Sequence, residues 1–353
     1  MIIANRQIYF RSLKQQEIIP ILINRMLNVS IDIILQPIMK VHFHSDHLPT
    51  FRNAAITIGT FDGVHSGHRA ILEQLKEEAR QSDGETVVIT FDPHPRRILN
   101  SDQAPALLTS MAERIERLEK IGIDHLVIIP FDQAFSEMSA HDYIINFLIR
   151  LFSPKIIVIG YDHRFGKGRQ GDYVLLAEMA KTHHYEVRQI PQKLLNDAQI
   201  SSTVIRQALT AGDISKANDL LNYPYQLEGT VIEGDKLGRK LGFPTANLSL
   251  TTVEKLVPGS GVYAVRVQLL YDGISRSFQG MMNIGYRPTV NGKERRIEVH
   301  IFNFDEEIYG TKIRVSLLAF IRDEMKFANL DELIAQLGKD KTIITEVLKK
   351  LMH

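Results

Sequence analysis

Between residue 54 and about residue 185, short runs rich in Val and Ile alternate with segments of helical spacing, and after Leu221 that alternation stops. Residues 54–58, 86–91, 125–129 and 155–159 are nearly continuous apolar runs, which predicts strands buried on both faces. Met111–Ile121 and residues 142–151 carry apolar residues at helical spacing, with Ile115, Leu118 and Ile121 on one face. Strand–helix alternation predicts a parallel sheet flanked by helices on both faces. Beyond residue 221 the pattern changes to short β-rich segments at 227–232, 261–270, 278–284, 296–302 and 312–320, with Asp272-Gly273 and Asn291-Gly292 as hairpin signals. That series predicts a small closed antiparallel barrel. Two helical patterns, 330–337 and 342–352, end the chain, and Asn222-Tyr223-Pro224 marks the boundary. The expected architecture is α/β: a parallel sheet domain that ends near residue 221, then a small antiparallel β-barrel domain with C-terminal helices over 222–353.

A chain of 353 residues is long enough for two domains with separate cores. Its 42 Lys and Arg nearly balance 41 Asp and Glu, so no basic stripe argues for a nucleic-acid partner. The absence of Cys excludes disulfides, thiolate catalysis and Cys-ligated zinc, and fits a cytoplasmic location. No apolar run reaches the length of a membrane span; the best candidate, 18–38, is broken by Asn24, Arg25, Asn28, Asp32 and Gln36. Residues 1–38 read equally as an extension, a misassigned translation start, or an extra helical hairpin packed on the domain.

Three unusual loops follow predicted strands, at the carboxyl ends where ligands of such sheets bind. The first, Gly59 to His68, reads G-T-F-D-G-V-H-S-G-H and leads into a helix. Its glycines, Gly59, Gly63 and Gly67, let the backbone approach a ligand, and a helix N-terminus offers free N–H groups to an anion. His65 and His68, three apart, can donate hydrogen bonds to phosphate oxygens. They lack a third metal ligand at a suitable local spacing. The second loop, Asp92-Pro93-His94-Pro95-Arg96, reads as a rigid turn with a basic end. The third, Gly160 to Arg169, combines three glycines with cations and suits a cover over phosphates. Further on, Ser201-Ser202-Thr203-Val204-Ile205-Arg206 is a hydroxyl-rich helix start whose N–H groups and Arg206 can hold phosphate.

The second half has its own signals. Gly234 to Asn247 combines Gly234, Gly238 and Gly242 with Arg239 and a Pro-Thr-Ala-Asn ending. Thr245 and Asn247 present oxygens suited to Mg²⁺, which takes few protein ligands beside phosphate oxygens. The Gly-Lys-Ser/Thr ending of a Walker loop is missing. Residues 296–302 alternate polar and apolar, so Glu298 and His300 share one face. Glu298 reads either as a general base or as a strand residue paired with Arg295 or Arg296.

The 59–68 loop resembles the adenylyltransferase loop of the nucleotidyltransferase superfamily. In full, it is similar to that of the bacterial bifunctional riboflavin kinase/FMN adenylyltransferases, or FAD synthetases. The resemblance runs from about residue 39 to the C-terminus. It implies a nucleotidyltransferase-type, Rossmann-like first domain over 39–221 that converts FMN and ATP to FAD and pyrophosphate, and a barrel that phosphorylates riboflavin with ATP to FMN. In the first domain it assigns ATP to Gly59, Phe61, Asp62, Gly63, His65, His68, Ser202, Thr203 and Arg206, with His65, His68 and Arg206 catalytic. In the second it assigns ATP to Gly234, Arg239, Gly242, Thr245 and Asn247, Mg²⁺ to Thr245 and Asn247, and the catalytic base to Glu298. Flavin contacts are implied for Phe91, Asp162, Phe165, Arg322 and Glu324. The chain departs from the family at His163, where an aromatic is frequent, and at Val299, where Thr is usual. The expected partners are riboflavin, FMN and ATP, with neither nucleic acid nor membrane, in a monomer or weak homo-oligomer. Two rival classes are an aminoacyl-tRNA synthetase and a non-catalytic nucleotide sensor. The Ser-Ser-Thr-x-x-Arg segment and near-neutral charge oppose the first; the intact His65, His68, Thr245, Asn247 and Glu298 oppose the second.

Overall fold

The computed structural model describes residues 38–43, 47–100, 104–191, 200–271, 274–289 and 292–351. Met39–His353 form one compact unit. The readings made for residues 1–37 and for Asp272-Gly273 lie outside the described residues.

Six parallel strands form the first sheet: β1 (Lys40–Phe43), β2 (Ala55–Ile58), β3 (Thr86–Asp92), β4 (His125–Pro130), β5 (Ile156–Gly160) and β6 (Glu186–Ile190). Their order is β1-β4-β3-β2-β5-β6. The four apolar runs are its central strands. β2, β4 and β5 are almost entirely buried, because helices cover both faces. The edge strands β1 and β6 were not legible as strands. Lys-Val-His-Phe and Glu-Val-Arg-Gln-Ile are short, and charged residues on the exposed edges break the apolar signal. The order reverses between β2 and β5, so a crevice opens beyond their carboxyl ends. The 59–68 and 160–171 loops both rise there.

Three well-defined helices serve this sheet. The first, α1 (Ser66–Gln81), is capped by the His65 ring, which accepts the His68 N–H. A Ser110/Glu113 capping box starts α2 (Met111–Ile121), and Gly122, at φ 83°, ends it. Asp172 caps α3 (Tyr173–His183). The predicted helix at 142–151 is wound as a π-helix over Tyr143–Ile149.

The second half is a closed barrel ordered β10-β11-β8-β7-β12-β9, from β7 (Gln226–Ile232), β8 (Ala246–Leu250), β9 (Gly261–Tyr271), β10 (Ile274–Thr289), β11 (Gly292–Ile301) and β12 (Lys312–Arg322). Alternation along each strand fills the interior: Leu227, Val231, Val267, Met282, Ile284, Val299 and Val315 are all buried in one cluster. β8 was absorbed into the preceding glycine-rich loop in the sequence reading, because only Leu248 of its five residues is fully buried.

Helices α4 (Ser202–Thr210) and α5 (Ile214–Leu221) precede the boundary in sequence, yet Ile205, Leu209, Ile214, Ala217 and Leu221 belong to the barrel's cluster. The two expected C-terminal helices are one, α6 (Leu330–Leu351). Gly338 interrupts the pattern but has open space around it, and the helix runs through. Ile344 and Leu348 pack on Val262, Ala264, Met281 and Phe302 outside the barrel. Arg322 fastens it: Nε and Nη2 reach the Asp340 carboxylate at 3.0 and 2.7 Å, and Asp340 is fully buried. Removing one member of a buried pair leaves the other charge uncompensated, which costs about 3 kcal/mol or more. Asp340→Ala should therefore destabilise the protein by about that amount in urea unfolding; a change under about 1 kcal/mol would contradict this role.

Candidate active sites

Asp62 organises the first site. It is 1% exposed and accepts the Leu108 N–H at 3.0 Å, the Thr109 N–H at 2.9 Å and the Thr109 hydroxyl at 3.1 Å. Arg206 reaches it from α4, with Nη2 at 2.5 Å, and Arg114 lies 3.8 Å away. Two guanidinium groups thus face one carboxylate, and the surplus positive charge favours an anion. Arg206 also donates to the Ala106 carbonyl at 2.8 Å, so its head is held from two sides. Ser202 donates its hydroxyl to the Asp62 carbonyl at 3.1 Å, which fastens the start of α4 to the loop. Beside Arg206 a cleft of ≈ 460 Å³ opens, lined in part by Arg96, Pro105, Thr203 and Gln207.

The two loop histidines stack, with ring centroids 3.7 Å apart and planes 17° from parallel. His65 Nδ1 accepts the His68 N–H, so its own proton sits on Nε2, free to donate. Burial pushes the His65 pKa down to about 4, against the opposing pull of Asp62. His68 is pushed well below its usual value by burial, then by His65 and Arg114, and its Nδ1 is buried without a partner. Both rings are neutral near pH 7, as hydrogen-bond donors rather than fixed charges. Phe61 is buried with its centroid 5.2 Å from that of His68, and forms the loop's inner wall. Gly63 adopts φ 88°, where an added Cβ would meet Leu108 and Leu221.

The expected flavin side is partly assembled at the same end of the sheet. Asp162 is exposed beside Gly160. Phe91 and Phe165 are buried: Phe165 stacks on Tyr143 at 4.9 Å, and Phe91 meets Phe131 edge-on at 5.5 Å. They offer a pocket wall rather than an open stacking face. His163 holds a buried Nε2 without a partner, and burial lowers its pKa to about 4.

Three residues of this site were missed in the sequence. Arg114 is a cation inside the apolar stripe of α2, a mismatch that signalled a buried partner. Thr109 carried no local signal. His94 carries no role of its own in the sequence, yet it senses Asp62, Arg206 and Arg114, and burial brings its pKa down to about 4.

The second site is a rung across the barrel. Glu298 on β11 is directly opposite Asn247 on β8 and Asn283 on β10. Directly opposed residues project to the same side, here the outer face, since Ile297, Val299 and Ile301 fill the interior. Among the described residues neither Arg295 nor Arg296 pairs with Glu298. Arg296 binds Asp235 at 2.6 Å and Glu294 at 3.1 Å, and Arg295 donates to the Pro258 carbonyl. His300 Nδ1 bonds the Pro244 carbonyl at 2.8 Å, which pins the turn that carries Thr245. Asn247 lies against Gly234, where a Cβ would fall 2.0 Å from Nδ2. Arg239 is exposed on the four-residue helix Leu237–Lys240, and Gly242, at φ 79°, has open space around it. Glu324 lies over Gly285 in the same way, 2.0 Å from the Cβ that position lacks. Arg322 is occupied by Asp340, so it holds the 322–324 segment in place. Asn283 and Gly285 were missed, because strand register brings Asn283 to Glu298 and the chain beyond β12 brings Glu324 over Gly285.

Two stretches of the chain match known sequence families. Residues 48–204 match the family described as FAD synthetase, and residues 221–348 match riboflavin kinase. The chain belongs to the bifunctional riboflavin kinase/FMN adenylyltransferase family. It is 39% identical over 291 residues to the Escherichia coli K12 bifunctional riboflavin kinase/FMN adenylyltransferase, covering 82% of this chain and 91% of that one. The Haemophilus influenzae enzyme of the same description is 39% identical over 289 residues, covering 82% and 92%. A crystal structure described as a macrolide-efflux protein from Streptococcus pneumoniae superposes with TM-score 0.76 at 31% identity, covering 87% of this chain and 99% of that one. Among the described residues no helix is long and apolar enough to cross a membrane. Both activities follow from family membership: riboflavin is phosphorylated to FMN, and FMN is adenylylated to FAD, each with ATP.

The depressed histidines carry a linkage consequence. Below their ordinary pKa of 6.5 the unfolded chain binds protons that folded His65, His94 and His163 do not take up until about pH 4. Stability therefore falls as pH drops from 6.5 to 4, by up to about 1.4 kcal/mol per pH unit per histidine. Nucleotide-free protein should show a Tm that declines across that window, less steeply in a His65→Gln variant. A flat Tm from pH 6.5 to 4.5 would contradict the neutral buried state.

Proposed function

We propose that residues 39–221 perform the adenylyl transfer and residues 222–353 the phosphorylation, each through the centre described above. The observation that carries this reading is the separation of two different chemistries in one chain. One centre has neutral imidazoles and two guanidinium groups gathered on the buried Asp62; the other has Glu298, a carboxylate on a rigid strand with no ion pair among the described residues.

In the first centre the nucleophile is an FMN phosphate oxygen, already anionic at neutral pH. It attacks the α-phosphorus of ATP, the bond to the β-phosphate oxygen breaks, and pyrophosphate leaves. No general base is needed, so the protein's task is positioning and charge stabilisation. His65 and His68 donate hydrogen bonds to phosphate. Arg206, aligned by Asp62, supplies charge. Gly59, Phe61 and Gly63 shape the loop, and Ser202 and Thr203 open α4 beside it. Asp162, Phe91 and Phe165 bound the flavin.

In the second centre Glu298 accepts the proton of the riboflavin 5′-hydroxyl as its oxygen attacks the γ-phosphorus of ATP; the bond from the γ-phosphorus to the β–γ bridging oxygen breaks, and ADP leaves. The Gly234–Asn247 loop, with Arg239 and Gly242, covers the triphosphate. Thr245 and Asn247, two residues apart with Asn247 opposite Glu298, offer the hard oxygens that Mg²⁺ takes beside phosphate. The Mg²⁺ would neutralise phosphate charge. Glu324, held by the Arg322 segment, borders the flavin. The enzyme acts in the cytoplasm; with each centre built within one chain, a monomer or weak homo-oligomer suffices for both steps.

Separate centres predict separable losses. His68→Ala should lower FAD formation from FMN by about 100-fold while FMN still accumulates from riboflavin. Glu298→Gln should lower FMN formation by 100-fold or more, yet leave added FMN convertible to FAD. Chromatography of flavin products separates these outcomes; a folded variant that lost both steps would refute the two-centre reading.

A further inference from the structure

The barrel reaches back into the first centre at two points. Tyr223, between α5 and β7, donates its hydroxyl to the Gly63 carbonyl at 2.5 Å, in the middle of the phosphate loop. Its ring is held by Arg117, whose guanidinium lies 3.2 Å from the ring centroid and also bonds Gln226 of β7 at 3.0 Å.

The second point is the 251–260 segment between β8 and β9. Leu107 N–H donates to the Glu254 carbonyl, and Leu256 N–H to the Leu107 carbonyl, both at 2.8 Å. Between them Lys255 Nζ bonds the Leu108 carbonyl at 2.8 Å and Glu113 at 2.5 Å. Leu108 is therefore gripped on both sides: its carbonyl by a barrel lysine, its N–H by Asp62, which in turn aligns Arg206. Lys255 and Glu113 are both buried, at 7% and 5% exposure, so neither is a surface pair.

A buried ion pair is a weak source of stability, because desolvation offsets the attraction; its best use is to fix one arrangement over others. Here the arrangement fixed is the position of residues 106–109 against Asp62. A hydroxyl directed at a loop carbonyl has the same character. It adds little to the core, but it sets where Gly63 and its neighbours stand. Among the described residues the hydrogen-bond partners of the Tyr223 and Lys255 side chains are Gly63, Leu108 and Glu113, and none belongs to the Glu298 centre.

We propose that Tyr223 and Lys255, both supplied by the kinase barrel, are positioning residues for adenylyl transfer in the other domain. FAD synthesis then needs the barrel docked in this geometry, beyond its role as the source of FMN. The inference rests on the assignment of adenylyl transfer to the His65/His68/Arg206 centre.

The test uses the full chain. Tyr223→Phe keeps the ring and its contact with Arg117 and removes only the hydroxyl. Its kcat for FAD formation from added FMN should fall about tenfold, while riboflavin phosphorylation stays within about twofold of wild type. A second variant, Lys255→Met with Glu113→Gln, removes both charges without leaving one buried alone. It should show the same selective fall in kcat with an unchanged KM for riboflavin in the kinase step. Wild-type FAD synthesis in either variant, or an equal loss of both activities, would overturn the proposal. Failure of the wild-type protein to convert FMN to FAD would instead overturn the assignment beneath it.

Discussion

A single buried carboxylate carries the architecture of the first centre. Asp62 is almost fully removed from water, and a charge there is tolerated only if its surroundings meet it. Two backbone N–H groups, one hydroxyl and Arg206 do so, with Arg114 close by. Each partner comes from a different part of the chain: residues 108–109 from the segment before α2, Arg114 from α2, Arg206 from α4. Satisfying one acid therefore draws three segments to the end of β2. Because the cations outnumber the acid, the assembled site keeps positive charge for phosphate. The neutral state of His65 and His68 follows from the same crowding, since burial disfavours the imidazolium.

The barrel solves a different problem. Its interior is apolar and closed, so polar chemistry is displaced to the outer face, where alternation along β11 presents Arg296, Glu298 and His300. The three serve distinct ends. Arg296 is taken by Asp235 and Glu294, His300 holds the turn before Thr245, and Glu298 is left without an ion pair among the described residues. A carboxylate on a strand fixed by neighbours on both sides has little freedom to move, which is what a base must have to meet one hydroxyl. Glu324 arrives from beyond β12 and fits only because residue 285 is glycine.

Helices α4 and α5 join the two halves. By sequence they end the sheet domain, and Arg206 and Ser202 do reach its loop. By packing they belong to the barrel, whose cluster includes Ile205, Leu209 and Leu221. Helix α4 thus presents a polar face, with Ser202 and Arg206, to the loop of the sheet domain, while both helices turn an apolar face to the barrel, as their spacing of polar and apolar residues allows.

The sequence by itself determined the kinds of element and the local chemistry. Apolar runs set the central strands, glycine-rich loops marked the two segments we propose hold nucleotide, and alternation put Glu298 and His300 on one face. These are properties of neighbours along the chain, with periods of 2 and 3.6 residues. Edge strands β1 and β6 escaped it, because exposed charges blur the pattern, and β8 escaped it for lack of buried residues. Only the tertiary structure decided that Asp62 would serve Arg206 rather than solvent, that Arg322 would be spent on Asp340, and that Asn283 and Gly285 would stand beside Glu298 and Glu324. Those outcomes depend on strand register and on residues up to 144 positions apart. Partners at such separations leave no periodic trace, and packing alone selects them.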